Sequence, residues 1–340
     1  KVKKFGSVLD KVKTSKVVRV AVEGTGKAVK ALGKAALVGT AAAFTTVAAA
    51  GTMAVSSAID YQAQMQNVGT LLDGDVQGKL QGMSKQLKQV SLDTGVCTSD
   101  LTEGLYQVVS AFGESADNVK QMEIAAKAAK AGNATTVDSI NLLSAVTKGY
   151  GDTSAAAMQK ASDLSFLTVK LGQTSFPELA SSMGQVVPLA STLKVSQEEL
   201  FGAMSTLTGV TGSTSEVTTQ LKATMQSFLS PSTEMAKTLK KMGYASGAAA
   251  LESEGLGGIL DKLKEQVKGD EVAFANLFSS VEAKNAVLAL TGNQAENFAE
   301  KTAAMFEASG AADAAFKTQT ASVKEMAAKV KNAGSVMLTS

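Results

Sequence analysis

The chain has 340 residues, of which 45% are hydrophobic, 19% charged and 5% aromatic, with Lys and Arg totalling 33 against 31 Asp and Glu. That is enough apolar material for one large or two smaller domains. No histidine is present, which removes the usual general base, the commonest metal ligand and every Ser-His or Cys-His dyad.

The single cysteine, Cys97, can form neither an internal disulfide nor a thiolate metal cluster, and it reads as a small apolar filler. No Gly-rich phosphate loop or metal-carboxylate motif is visible, so no catalytic residue, metal or cofactor is expected. Three prolines leave long uninterrupted runs, and alternating β-branched patterns are scarce. The expected class is therefore all-α, a multi-helix array of short amphipathic helices. The core should rest on small side chains, because tryptophan is absent and Ala, Ser, Thr and Gly fill the space. The first residue is Lys1 rather than Met, which reads as a fragment or a processed product.

Residues 1–34 form a basic arm. Ten Lys and Arg face Asp10 and Glu23 there, a formal +8, which leaves −6 for the rest of a chain whose total is +2. Apolar Val8, Leu9, Val12, Val17 and Val18 alternate with Lys3, Lys4, Lys11, Lys13, Lys16 and Arg19, the pattern of an imperfect amphipathic helix. One reading is a solvated arm; the other is contact of these cations with acidic lipid or nucleic acid.

Residues 35–59 carry no charge. As a helix at about 1.5 Å per residue they are long enough for a ~30 Å hydrocarbon core. Ala, Gly, Thr and Ser dominate, and the strongly apolar residues are Leu37, Val38, Phe44, Val47, Met53, Val55 and Ile59, so insertion is energetically marginal. Gly39 with Ala43, and Ala50 with Ala54, have the spacing that lets helices pack closely. Self-packing, conditional membrane insertion and a constitutive span all remain open. A secretory signal is not expected, because the charged region before it is too long.

From Asp60 to Val90 two helices with a break at Asp73-Gly74 are expected. Leu101, Leu105, Val108, Val109 and Phe112 then form a stripe of 3.6-residue period. Asp100 with Glu103 is a candidate start cap, and Gly113 a candidate left-handed stop. Further stops are expected at Gly132, Gly149/Gly151 and Gly172.

The stretch 171–200 holds Pro177 and Pro188 and two Ser-x-x-Glu starts, Ser175/Glu178 and Ser196/Glu199. Pro177 fits a first helical turn, whereas Pro188 is expected to break or kink its helix. Ser213/Glu216 gives a third start, and Ser230-Pro231 is read as a serine cap followed by proline at the first helical position. Gly243 closes that helix. Residues 245–258 look loosely specified, the apolar pattern resumes at Ile259, and one helix is expected over 272–290. The charged, Ala-rich end from 294 reads as a long exposed or coiled helix leading out of the body.

In their order and spacing, several of these features resemble the core region of phage tail tape measure proteins. They are the runs 99–113, 124–151 and 161–235, with Tyr150-Gly151, Ser162-Asp163, Phe176-Pro177-Glu178-Leu179, Pro188-Leu189-Ala190, Glu198-Glu199-Leu200 and Ser230-Pro231-Ser232. The likeness covers roughly 60–310. The domain division expected from it is the basic arm 1–34, the uncharged helix 35–59, a helical core 60–255, a second helical lobe 256–310, and the start of an extended rod at 311–340.

The resemblance implies a non-enzymatic ruler in the lumen of a tail tube. Such a protein sets tail length during assembly and is released toward the cell envelope on ejection, in a phage or a phage-tail-like bacteriocin. It implies as partners further copies of the chain (three or six, to match the ring symmetry), the tail tube protein, the baseplate or tail-tip hub, a tail assembly chaperone, and the host inner membrane and phage DNA. It implies the tube lumen in the particle, the producing cell's cytoplasm during assembly and the target membrane on ejection. Two other readings stand beside it: a membrane-active, pore-forming protein acting through 35–59, and a helical adaptor.

Overall fold

The computed structural model describes residues 60–321, and backbone contacts gather the described residues from Ala63 onward into one unit. Among the described residues there are fifteen helices and no strand. The all-α expectation holds.

In chain order the helices are α1 (60–69), α2 (Val76–Thr94), α3 (Thr98–Phe112), α4 (Asn118–Ala131), α5 (Thr136–Tyr150), α6 (Ala155–Leu171), α7 (Phe176–Thr192) and α8 (Gln197–Thr211). They continue as α9 (Thr214–Leu229), α10 (Thr233–Lys241), α11 (Gly247–Gln266), α12 (Glu271–Ala275), α13 (Val281–Thr291), α14 (Ala295–Phe306) and α15 (Ala311–Thr320).

The most extensive seam is α5 against α7. Helix α8 lies against α6 and α14, and α9 against α7 and α13. Helix α4 is surrounded by α3, α5, α6 and α15. Its sequence permits this: Ala125, Ala126, Ala128 and Ala129 are all buried, and their single methyls let several neighbours approach one helix. The α3 stripe is buried at Leu101, Leu105, Val108 and Val109, and Lys148 Nζ stands 5.8 Å from the Phe112 ring centroid at its end.

A core rich in Ser and Thr must satisfy its hydroxyls without water. Here they turn back on their own helices: Thr102, Thr147, Ser165, Thr168, Thr206, Thr208, Thr218 and Thr224 each donate to the carbonyl four residues earlier. The composition thus supplies small and for the most part internally paired filler, the hydroxyls of Ser139, Ser162 and Ser205 being buried without a partner.

The expected stops at Gly151 and Gly172 are helix ends, and Gly132 caps α4. Gly113 ends α3 at φ 79°, ψ 175°, which is not the left-handed helical region expected but an extended one that only glycine reaches easily. Cys97, not Asp100, occupies the cap position of α3.

Pro188 does not break α7, which runs on to Thr192. It is exposed, and so is Gly184, whose carbonyl loses its partner where water can reach it. Pro188→Ala restores that bond, and we expect it to stabilise the chain by about 1–2 kcal/mol, the helix-propensity gain less the unfolded-state rigidity lost. A thermal midpoint unchanged or lowered would contradict this account of the proline.

Ser230 closes α9 and does not open the next helix. Its N–H donates to Gln226 O at 2.8 Å. Ser232 is the cap of α10, accepting from Met235 N at 3.1 Å while its hydroxyl donates to Leu277 O at 2.8 Å. The second of these bonds is tertiary, and it favours Ser232 over the serine two positions earlier; Pro231 lies in the connection.

Residues 247–266 are helical through most of the stretch that looked loosely specified, with one break at Gly255 (φ 71°, ψ 176°). The helix expected over 272–290 is divided into α12 and α13, because Ser280 caps a fresh start by accepting from Ala283 N at 3.1 Å. The described part of the stretch from 294 also divides, at Gly310 (φ 82°), and residues 322–340 of the expected helix lie outside the described residues. Helices α14 and α15 turn back on the body with Phe298, Met305, Ala312 and Phe316 buried, rather than running out as one exposed helix.

Candidate functional site

Several of the residues that carried the resemblance lie at the two ends of α7, its entry from α6 and the α7–α8 corner. At the entry to α7, Ser175 Oγ accepts from Glu178 N at 3.4 Å, and Ser175 N donates to Glu178 Oε2 at 2.8 Å. Both halves of the expected box are present. Pro177 occupies the first turn, as expected, and is exposed. The box is tied onward to α9: Thr214 Oγ1 donates to Glu178 Oε2 at 3.4 Å and lies 2.7 Å from Thr174 Oγ1.

Phe176 and Leu179 point inward and are fully buried. The Phe176 ring lies over Gly132, where a Cβ would come within 2.6 Å of ring atoms. Gly132 is therefore required by close approach, not by its backbone angle, which is an ordinary φ of −87°. Sequence reasoning identified Gly132 as a stop and could not identify its partner 44 positions away.

At the exit, Val195 O accepts from the Tyr150 hydroxyl at 3.1 Å. Burial, reinforced by the negative charges of Glu198 and Glu199, pushes the Tyr150 phenol well above its ordinary range, so it acts as a neutral donor. Glu198 is 9% exposed and pairs with Lys160 at 2.7 Å, joining α8 to α6. Leu200 is fully buried.

The expected box at Ser196 is only half formed. Ser196 Oγ accepts from Glu199 N at 3.1 Å, but Glu199 Oε2 accepts from the Ser196 hydroxyl at 3.2 Å and not from its N–H. Glu199 Oε1 accepts instead from Leu256 N at 2.7 Å and Gly257 N at 3.3 Å. It caps the second half of α11 across more than fifty residues. A Cβ on Gly255 would collide with this carboxylate, which fixes glycine at the break.

The two ends of α7 can thus hold geometry: carboxylates tie α7 to α9 through a threonine hydroxyl, α8 to α11 through backbone N–H groups and α8 to α6 through one lysine. Among the described residues no group of three or more His, Cys, Asp or Glu is placed to hold a metal ion, and no helix is long and apolar enough to cross a membrane. The basic residues Lys3 to Arg19 and the segment from Leu37 to Ile59 lie outside the described residues.

The family pattern described as phage-related minor tail protein matches residues 84–281, more than half of the chain and the whole of this corner. The chain belongs to the phage-related minor tail protein family. It is also 25% identical over 275 residues to a probable tape measure protein of Clostridium phage phiCD119, a match over 78% of this chain. The chain spans 29% of the length of that relative. No solved structure matches the chain. This phage minor tail protein therefore has a structural role in a phage particle, among other tail components.

Proposed function

We propose that this minor tail protein is a segment of a tape measure. In this reading it sits in the lumen of the tail tube, sets tail length during assembly and leaves toward the cell envelope on ejection. The observation that carries the reading is the likeness, over 78% of the chain, to a relative named as a probable tape measure protein. The residues support it physically. A ruler needs a fixed length per residue, which helices supply at about 1.5 Å each. It needs no reaction centre, and the chain is without histidine.

The corner residues Phe176, Pro177, Glu178, Leu179, Pro188, Glu198, Glu199, Leu200 and Pro231 serve architecture and not chemistry in this proposal. The tube protein, the tail-tip hub or baseplate, an assembly chaperone and further copies of the chain are its proposed partners. The divisions proposed from sequence, at 34/35, 59/60, 255/256 and 310/311, belong to the same proposal. So do contact of the basic arm with lipid or DNA, and close packing or membrane insertion through 35–59.

In-frame deletions in the phage gene that encodes this chain test the ruler. Removing about 30 residues of helix is expected to shorten the assembled tail by roughly 45 Å, seen by electron microscopy. Tails of unchanged length would sink the proposal.

A further inference from the structure

Helix α14 lies on α8, and α15 on α4 and α6, yet what fastens them differs from what holds the body. Phe176, Met183, Leu200 and Met204 in the body are completely excluded from water, whereas Phe298 and Phe316 keep 6% and 8% of their surface. Part of the α8–α14 seam is made of small and polar groups. Gly202 faces Thr302 so closely that a Cβ there would collide with it. The hydroxyls of Thr302 and Ser205 are buried with no hydrogen-bond partner, which costs their hydration without return. Lys301 is drawn into the same seam. Its ammonium donates to Ser205 O at 3.2 Å, has no carboxylate within ion-pair distance among the described residues, and is held below the usual lysine range by burial.

Against these costs stands one concentrated attachment, with the longer Lys127–Asp313 ion pair, at 3.9 Å, beside it. Asp163, on α6, is 3% exposed. Its Oδ2 accepts from Gly310 N at 3.0 Å and its Oδ1 from Ala312 N at 2.9 Å, across 147 and 149 residues of chain. Gln159 Nε2 donates to Oδ1 at 3.3 Å and steadies the carboxylate from its own helix. Gly310 is the cap residue of α15 and has no side chain to offer, so Asp163 does the capping from another helix. A carboxylate at this position also faces the positive end of the helix dipole.

We propose that residues 295–320 form a detachable strap, latched to the body by Asp163, that lifts as a unit while the body stays folded. The strap goes beyond the tape-measure reading and does not depend on it. It gives the chain one segment that can leave the fold first, without melting the α5–α7 core.

Hydrogen–deuterium exchange on the 340-residue chain, read by mass spectrometry, tests this. Amides of 295–320 are expected to exchange together, at least about ten-fold faster than those of α5 and α7, as a sub-global unit does. Asp163→Asn should speed strap exchange by about another ten-fold and leave α5 and α7 unchanged, because the asparagine turns an N–H toward one of the two donors. Thr302→Val, which removes the unpaired hydroxyl at constant shape, should slow the strap. The proposal is overturned by strap amides that exchange at the rate of α5 and α7, by an Asp163→Asn that accelerates both sets equally, or by a Thr302→Val without effect. Tail length is not read in this experiment, so its failure leaves the ruler standing, and failure of the ruler leaves the strap.

Discussion

Phe176→Ala is expected to lower the unfolding free energy by about 3–5 kcal/mol, the range for emptying a fully buried phenylalanine site. The ring is 0% exposed and lies against Gly132, so its loss leaves a void between the start of α7 and the end of α4. The glycine allows a sharper test. Gly132→Ala alone places a methyl within 2.6 Å of the ring and should cost about 1–3 kcal/mol through overpacking. In the Phe176→Ala background the ring clash is gone, but the Cβ kept by alanine still lies 2.8 Å from the new methyl, so the relief is partial. Since φ at Gly132 is an unstrained −87°, alanine there also restricts the unfolded chain, and the substitution should cost less than it does in the wild-type background. Urea unfolding of the four proteins gives the cycle. Additive costs would mean that the ring and the glycine are not partners.

That pair shows where sequence reading reaches its limit. Local signals were legible, because their physics is complete within a few residues. The α3 stripe, the Ser175/Glu178 box, the Ser213 start and the Gly151 and Gly172 ends needed no knowledge of the fold. What failed was decided by a partner distant in sequence. Ser230-Pro231 is as good a start on paper as Ser232, and the bond from Ser232 to Leu277 O tips the choice. Residues 245–258 look loosely specified because their helix is fastened from outside, by Glu199. The stretch from 294 looks solvated because the small residues it packs on, Gly202 among them, and the latch Asp163 belong to helices more than ninety residues earlier. The break expected at Pro188 is absent for a related reason: its cost depends on whether the exposed Gly184 can be hydrated, which no local pattern encodes.

Glu199→Ala is expected to cost about 3 kcal/mol, since it removes charge-assisted bonds worth roughly 1.5–3 kcal/mol and leaves the N–H of a fully buried leucine without an acceptor. The distinction that matters is between a local and a remote cap. If Glu199 served chiefly the start of its own helix, Ser196→Ala would abolish most of its effect, and the damage would lie in α8. The geometry directs the damage elsewhere, to the second half of α11, where Leu256 and Gly257 lose their acceptor. Amide exchange over 256–266 should therefore accelerate more than exchange over 197–211. Glu199→Gln keeps an oxygen in place and should cost only about 1 kcal/mol, the neutral-bond value. Glu199→Asp, one methylene short of the Leu256 N–H, should resemble alanine more than glutamine. An aspartate as stable as wild type, or an alanine that loosens α8 alone, would show that the carboxylate does not join the two helices.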